Sequence, residues 1–254
     1  LKCPEAVEIA QNLARECDVL IENFGTGVMD RLGLGAKELC AANTNLLYVS
    51  ASGLGRTGPE AGAVAYGTLL QCYAGFAGLN GHPDAAPRVG LAWLDPMCGL
   101  KIAFAIAAWA WSRKAGGAGG RIDFSMIEAL LWTMAEPILA AQQGQPPKPE
   151  GNDSTRCAPH GIYPADGADR WIAIAVDTDD QWRALCGHVP ELAAMDALDE
   201  AGRRANADKI DNILADWTAA QNDSAVADLL ASAGVPANPV ATSLDLVACD
   251  HLRA

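Results

Sequence analysis

The chain has 254 residues, of which 50% are apolar, and 18 basic against 31 acidic side chains give a net charge of −13. So acidic a chain is a poor match for nucleic acid or an anionic membrane, which bind clustered Lys and Arg, and its apolar content suffices for a sizeable core in one or two domains. An anionic ligand held in one local pocket stays compatible with that charge. No stretch reads as a membrane span: the most apolar run, Leu100 to Trp111, is short, contains Lys101 and is expected to be a buried helix. No signal peptide is visible and the chain opens on Leu1, so a cytoplasmic location is expected. Eight scattered cysteines without a CxxC pair disfavour zinc ligation and a disulfide framework; reduced, mostly buried thiols and no metal site are expected.

In chain order, Ala6 to Cys17 reads as a helix. Val19-Leu20-Ile21 and Leu46-Leu47-Tyr48-Val49 are short apolar, β-branched runs and read as buried strands. Between them, Thr26 to Ala42 shows helical spacing of Val28, Leu32, Leu39 and Cys40, so strand, helix and strand predict a βαβ unit with a parallel sheet. A helix is expected from Tyr66-Gly67 through Ala77, and Asp95-Pro96 opens a long one to about Lys114, stopped by the run Ala115 to Gly120. The strand Arg121–Phe124 follows, then Ser125 and Glu128 form an S-x-x-E capping box for a helix through Gln142. Gln145 to Pro149 is a stiff linker. Beyond it, a strand at Arg170–Val176 and helices at Asp179–Cys186, Ala207–Ala219 and Ser224–Ala233 suggest a smaller α+β unit, and Val235 to Val240 is extended again. The expected organisation is a Rossmann-like α/β large domain over 1–146, a linker and loop over 147–165, a small α+β domain over 166–234, and the start of a linker over 235–254.

Three segments have the chemistry of a ligand site. Glu22-Asn23-Phe24-Gly25-Thr26-Gly27 leaves a strand and opens a helix, where free backbone N–H groups suit a phosphate, and Arg31 lies about one and a half turns on, placed for a bidentate pair. On these residues alone, an ordinary glycine-rich turn with a solvated Arg is the better reading. Ser50-Ala51-Ser52-Gly53-Leu54-Gly55-Arg56 is a second glycine-rich strand exit, which serves close ligand approach or simple turning equally well; Tyr66 after it reads as a core aromatic. Leu94-Asp95-Pro96-Met97-Cys98-Gly99 places Asp at an N-cap and Pro at N1. Capping is its ordinary meaning, yet the same geometry keeps a carboxylate ionised, as a carboxylate nucleophile requires.

Taken together and in this order, ENFGTGVMDRLGL, YVSASGLGRTGP, LDPMCG and GGRIDFSMIEAL resemble the CaiB/BaiF family of class III CoA-transferases, and the likeness continues through Gly151-Asn152, Ala158 to Tyr163, Asp169 to Ala173 and GVPANPV. The resemblance implies that Asp95 is the catalytic carboxylate and that Asn23, Phe24 and Arg31 contact the CoA nucleotide. It further places Ser52, Gly53 and Tyr66 beside the reacting group, and Asn152 and His160 on a loop that closes over it. Coenzyme A and its acyl thioesters are then substrates rather than resident cofactors, a free carboxylic acid is the second substrate, and the full-length protein is an interlocked homodimer.

Two departures accompany the resemblance. Family members are longer, so an opening strand-helix-strand block and a C-terminal return segment are expected to be missing here. Gly67 stands where an acidic residue commonly follows the tyrosine. Within the fold, the alternatives are an α-methylacyl-CoA racemase, which uses a His where this chain has Tyr66, and a CoA-binding protein without chemistry. The four histidines, His82, His160, His188 and His251, all lie elsewhere. An NAD dehydrogenase is weaker, since no strand is followed by GxGxxG.

Overall fold

The computed structural model describes residues 3–253 and divides into two compact units, one ending at Pro149 and one beginning at Glu150. The first is an α/β layer. Helix α1 (Pro4–Glu16) starts with Pro at its first position and turns Val7, Ala10 and Ala14 onto the apolar cluster around Leu34, Leu39, Leu46 and Tyr48. The Asn43 amide closes its far end, donating to the carbonyls of Ala14, Arg15 and Cys17 at 3.0–3.2 Å. Strands β1 (Val19–Glu22), β2 (Leu47–Ser52) and β3 (Gly120–Ser125) form a parallel sheet in sequential order. β2 is central and buried along most of its length, and Tyr48 donates from its hydroxyl to the Leu34 carbonyl at 3.1 Å.

The helix expected over Thr26 to Ala42 is two helices, α2 (Val28–Arg31) and α3 (Ala36–Ala42). Gly33 between them has φ 70°, a conformation open to glycine that ends one helix and lets the chain re-enter the next. The helix expected from Tyr66-Gly67 through Ala77 is likewise shorter. It runs as α4 (Gly67–Tyr73), and Gly75 at φ 82° turns the chain into a 3₁₀ segment, Phe76–Leu79. Helix α5 (Leu94–Lys114) has its predicted end, but its N-cap is Trp93, so Asp95 sits inside the first turn and caps nothing. The N-cap reading of Asp95 is therefore corrected.

A second correction concerns α5 as a whole. It was expected to be buried, yet only Leu94 and Cys98 are; Phe104 and Trp111 are each 76% exposed. Its opening turns are fixed on α4 and on the segment Met126–Leu131, while the outward face is uncovered among the described residues. Length and apolar content alone would let α5 span a bilayer. It is nonetheless tied into the α/β unit: Lys101 donates to the Ala129 carbonyl at 2.9 Å and Arg113 to the Asn45 carbonyl at 2.7 Å.

After β3, α6 (Met126–Leu131) is capped by Ser125, which accepts from the Glu128 N–H at 3.5 Å. The helix expected through Gln142 is interrupted by a 3₁₀ turn, Trp132–Met134, before α7 (Ala135–Gln142). Pro137 lacks the N–H that would bond the Thr133 carbonyl, so a continuous helix loses a rung there.

The second unit is α+β. Strands β4 (His160–Pro164), β5 (Trp171–Ala175) and β6 (Ala237–Pro239) form an antiparallel sheet with β5 in the middle, so its two outer strands come from segments that the sequence places in linkers. Helices α8 (Asp179–His188), α10 (Ala207–Ala219) and α11 (Asp223–Ser232) fall where periodicity predicts, with the short α9 (Glu200–Ala205) and the closing α12 (Ser243–Ala248) and α13 (Asp250–Arg253) in addition. They cover a core of Ile172, Ile174, Trp182, Leu185, Leu214 and Leu230. All eight cysteines are free, but only Cys98 and Cys186 are buried, so the expectation of mostly buried thiols does not hold.

Candidate active site

In a parallel sheet, ligands collect beyond the carboxyl ends of the strands, where loops diverge and helix starts are exposed. The first unit has a cleft of about 710 Å³ there. Each strand exit supplies a wall: Asn23 and Phe24 after β1, Ser52 and Gly53 at the end of β2, and Met126 after β3. Ala65 and Tyr66 come from the approach to α4, and Asp95, Cys98 and Gly99 from the start of α5. Six residues singled out from the sequence thus share one cleft: Asn23, Phe24, Ser52, Gly53, Tyr66 and Asp95.

The β1 exit is rigid because its backbone is held from outside. Glu22 accepts the Phe24 N–H at 3.0 Å and the Arg56 guanidinium at 2.6 Å, and Arg56 also donates to the Phe24 carbonyl at 3.0 Å. Both charged side chains are nearly sealed, with 3% and 9% of their surface exposed. Thr26 donates from its hydroxyl to the Ala61 carbonyl, which joins this turn to the loop before α4. Phe24 and Tyr66 present exposed rings, Tyr66 at 74%, and Ser52 Oγ is buried without a hydrogen-bond partner among the described residues. A sealed hydroxyl on a cleft wall is a donor awaiting an acceptor.

Asp95 is exposed towards the cleft, and Cys98 lies one turn along the same helix face. Burial, and then the negative charge of Asp95, push the Cys98 thiol up to about 11. Cys98 therefore stays a neutral thiol near pH 7. His82, the one histidine of the first unit, is not among the residues that line the cleft.

Arg31 is not on the cleft wall. Its guanidinium folds back over the start of α2, so that a Cβ built on Gly27 would lie 3.2 Å from Nη1. Asn152 and His160 belong to the second unit, where His160 Nδ1 lies 2.5 Å from the Asn152 carbonyl oxygen. The Glu22–Arg56 pair and Cys98 were not among the candidate residues. Their only sequence signals were a charged residue ending an apolar strand, an Arg inside a glycine-rich exit, and a Cys one turn after the Asp.

The sequence model of CoA-transferase family III matches residues 1–254. The acetyl-CoA:oxalate CoA-transferase of Acetobacter aceti is 35% identical over 234 residues, 90% of this chain and 60% of that protein. The succinate–glutarate CoA-transferase of Agrobacterium fabrum is 30% identical over 264 residues, covering the whole chain and 64% of that protein. The crystal structure of a CaiB/BaiF family protein from Brucella suis superposes with a TM-score of 0.88 at 31% identity, over 99% of this chain and 68% of that one. The chain thus spans roughly three fifths of the curated relatives that it matches, at 60% and 64% of their lengths. By its sequence and by its fold, the chain belongs to CoA-transferase family III, the CaiB/BaiF family.

Proposed function

We propose that the protein moves coenzyme A from an acyl-CoA thioester to a free carboxylic acid, with Asp95 as the acyl acceptor. The observation that supports this reading most directly is the placing of an uncapped, exposed carboxylate in one cleft with the Asn23-Phe24 turn, beside a thiol held neutral. In the proposed sequence, the Asp95 carboxylate attacks the thioester carbonyl and expels CoA thiolate, leaving a mixed anhydride. The thiolate attacks the aspartyl carbonyl, the donor acid departs, and Asp95 carries CoA as a thioester. The acceptor carboxylate attacks that thioester and expels the thiolate again. The thiolate then takes the acceptor's acyl carbon from the second anhydride and restores Asp95. Every intermediate is an activated acyl group, so no step requires an outside energy source. The backbone around Gly53, on the same cleft wall, is the proposed source of N–H donors for the tetrahedral oxyanions.

The relatives named for oxalate and glutarate support a small dicarboxylic acid as one substrate. We assign Arg31 to the CoA phosphates, Asn152 and His160 to the acyl end, and a homodimer to the full-length protein, in keeping with the family resemblance.

The test is Asp95→Ala in the full-length protein. Transfer from succinyl-CoA or acetyl-CoA to oxalate, glutarate, D-citramalate or mesaconate should vanish. The stability cost should stay under about 1 kcal/mol, since only a favourable charge in the first helical turn is lost. Hydroxylamine added after succinyl-CoA should convert Asp95, and no other carboxylate, to its hydroxamate. Undiminished transfer by Asp95→Ala overturns the assignment.

A further inference from the structure

The segment that carries Asn152 and His160 has no glycine between Gly151 and Gly161, and its main chain is gripped from one helix. Adjacent arginines of α9 each take one of its carbonyls. Arg204 donates to the Ser154 carbonyl at 2.6 Å, and Glu200 aims it by accepting from its Nε and Nη2 at 2.9 and 2.8 Å. Arg203 donates to the Ala158 carbonyl at 2.7 Å. Between these two points, Ser154 Oγ accepts the N–H groups of Arg156 and Cys157 at 3.1 and 3.2 Å, and the Ala158 N–H donates to the Val176 carbonyl at 2.9 Å. The ends of the loop meet where His160 Nδ1 faces the Asn152 carbonyl at 2.5 Å. A carbonyl only accepts, so Nδ1 carries the proton, and in the neutral ring Nε2 is left as an acceptor.

Packing alone does not call for either arginine. Arg203 is 1% exposed, and its donors are met by the Ala158 and Leu198 carbonyls and by the Asp179 carboxylate. An apolar side chain of similar volume would fill that site without the demand for partners. Arg204 is exposed, yet its Nη1 is turned onto the loop rather than left in water.

We propose that Arg203 and Arg204 are positioning residues that make the 152–160 loop a preformed platform, not a hinged lid, for the acyl end of the substrate. This rests on the assignment of Asn152 and His160 to that end. The hydrogen bonds from both arginines to the loop go to its main chain, so they act through the loop's backbone and not on the substrate. A loop whose carbonyls are fixed presents its side chains with no ordering cost at each turnover, and a misplacement of about 1 Å costs on the order of 100-fold in rate.

The experiment pairs hydrogen exchange with steady-state transfer from succinyl-CoA to glutarate, on the full-length protein. Arg204→Met should speed exchange of the Arg156 and Cys157 amides by about 10-fold or more and leave the amides of α8 and α10 unchanged. Its Tm should hold, because an exposed ion pair contributes little to stability. Its kcat should fall by about 10-fold with the KM for succinyl-CoA within about twofold. Arg204→Lys should restore both, since a single donor reaches Ser154. Arg203→Lys should not restore the wild-type behaviour of its own site: one ammonium cannot span Ala158, Leu198 and Asp179 together, so the Ala158 amide is freed and kcat falls. Arg183→Met is the control, an exposed arginine paired with Asp180 on α8, and should change neither exchange of the loop nor kcat. Unchanged loop exchange in Arg204→Met, or faster exchange with kcat within twofold of wild type, overturns the proposal. Wild-type transfer by both Asn152→Ala and His160→Ala would remove the acyl-end assignment instead, and the exchange data would still decide whether the arginines hold the loop.

Discussion

Arg56 and Glu22 hold the backbone of one residue from both sides: Glu22 takes the Phe24 N–H and Arg56 takes the Phe24 carbonyl, while the two side chains pair with each other at 2.6 Å. A buried ion pair adds little net stability over an apolar pair, but removing one partner strands a charge in a sealed site. Arg56→Met should therefore destabilise the first unit by about 3–5 kcal/mol in chemical denaturation. Glu22→Leu with Arg56→Met should recover most of that loss and still bind CoA more weakly, because the Phe24 backbone is released. If the double variant binds CoA as tightly as wild type, the pair serves stability alone.

That pair also marks where sequence reading stops. Strands β1 and β2 were legible as apolar, β-branched runs, and it was the family resemblance of the motifs, not the residues taken singly, that pointed to Asn23, Phe24, Ser52, Gly53 and Asp95. The pairing of Glu22 with Arg56 joins residues 34 apart in the chain and depends on the parallel register that sets Glu22 opposite Ser50. No local pattern encodes it. The break at Gly33 was hidden because Val28, Leu32 and Leu39 keep a helical spacing across it, although a glycine at φ 70° ends the helix. The reach of α5 was legible but its exposure was not, since an apolar helix reads the same whether or not something covers it.

High pH should weaken both units. The Cys98 and Cys186 thiols are pushed by burial to about 11, above the ordinary 9.0, and the Tyr48 hydroxyl to about 12, above 10.0. The unfolded chain therefore loses these protons first, and the folded state binds more of them as pH rises past 9. Stability is fully present below the unfolded values and falls between about pH 9 and 12. Urea midpoints across that range should decline, and Cys98→Ala and Cys186→Ala together should flatten the first part of the decline. Iodoacetamide at pH 8 should label the exposed Cys3, Cys17 and Cys72 and spare Cys98 and Cys186.

Arg31 offers a test of the nucleotide end of the site. It is an exposed cation folded over the start of α2, at the exit of β1. A charge-assisted hydrogen bond to a phosphate is worth about 1.5–3 kcal/mol, so Arg31→Ala should raise the Kd for free CoA by roughly 10- to 150-fold in calorimetry. Dephospho-CoA should narrow the difference if the 3′-phosphate is the partner. An unchanged Kd returns Arg31 to the solvated surface.

In the second unit, Arg170 bridges two carboxylates, Asp223 at 2.5 Å and Asp245 at 2.8 Å, and so ties the start of α11 to α12. Asp245 also closes a reciprocal cap with Thr242, and the Thr242 N–H, then Arg170, hold its carboxyl down at about 2. A depressed carboxyl stabilises the fold above its unfolded value of 3.8 and loses that contribution as pH falls towards 2. The α12 attachment should therefore survive mild acid and fail only below about pH 3. Hydrogen exchange of the α12 amides against pH reads this directly, and Asp245→Asn should bring their fast exchange to neutral pH while leaving α11 protected. Arg170→Met should do more, because Asp223 is buried and would lose the cation that pairs with it, so the second unit's denaturation midpoint should fall further than in Asp245→Asn. Equal effects of the two substitutions would mean that Asp223 finds sufficient partners in the Ser224 N–H and hydroxyl, and that Arg170 acts on α12 alone.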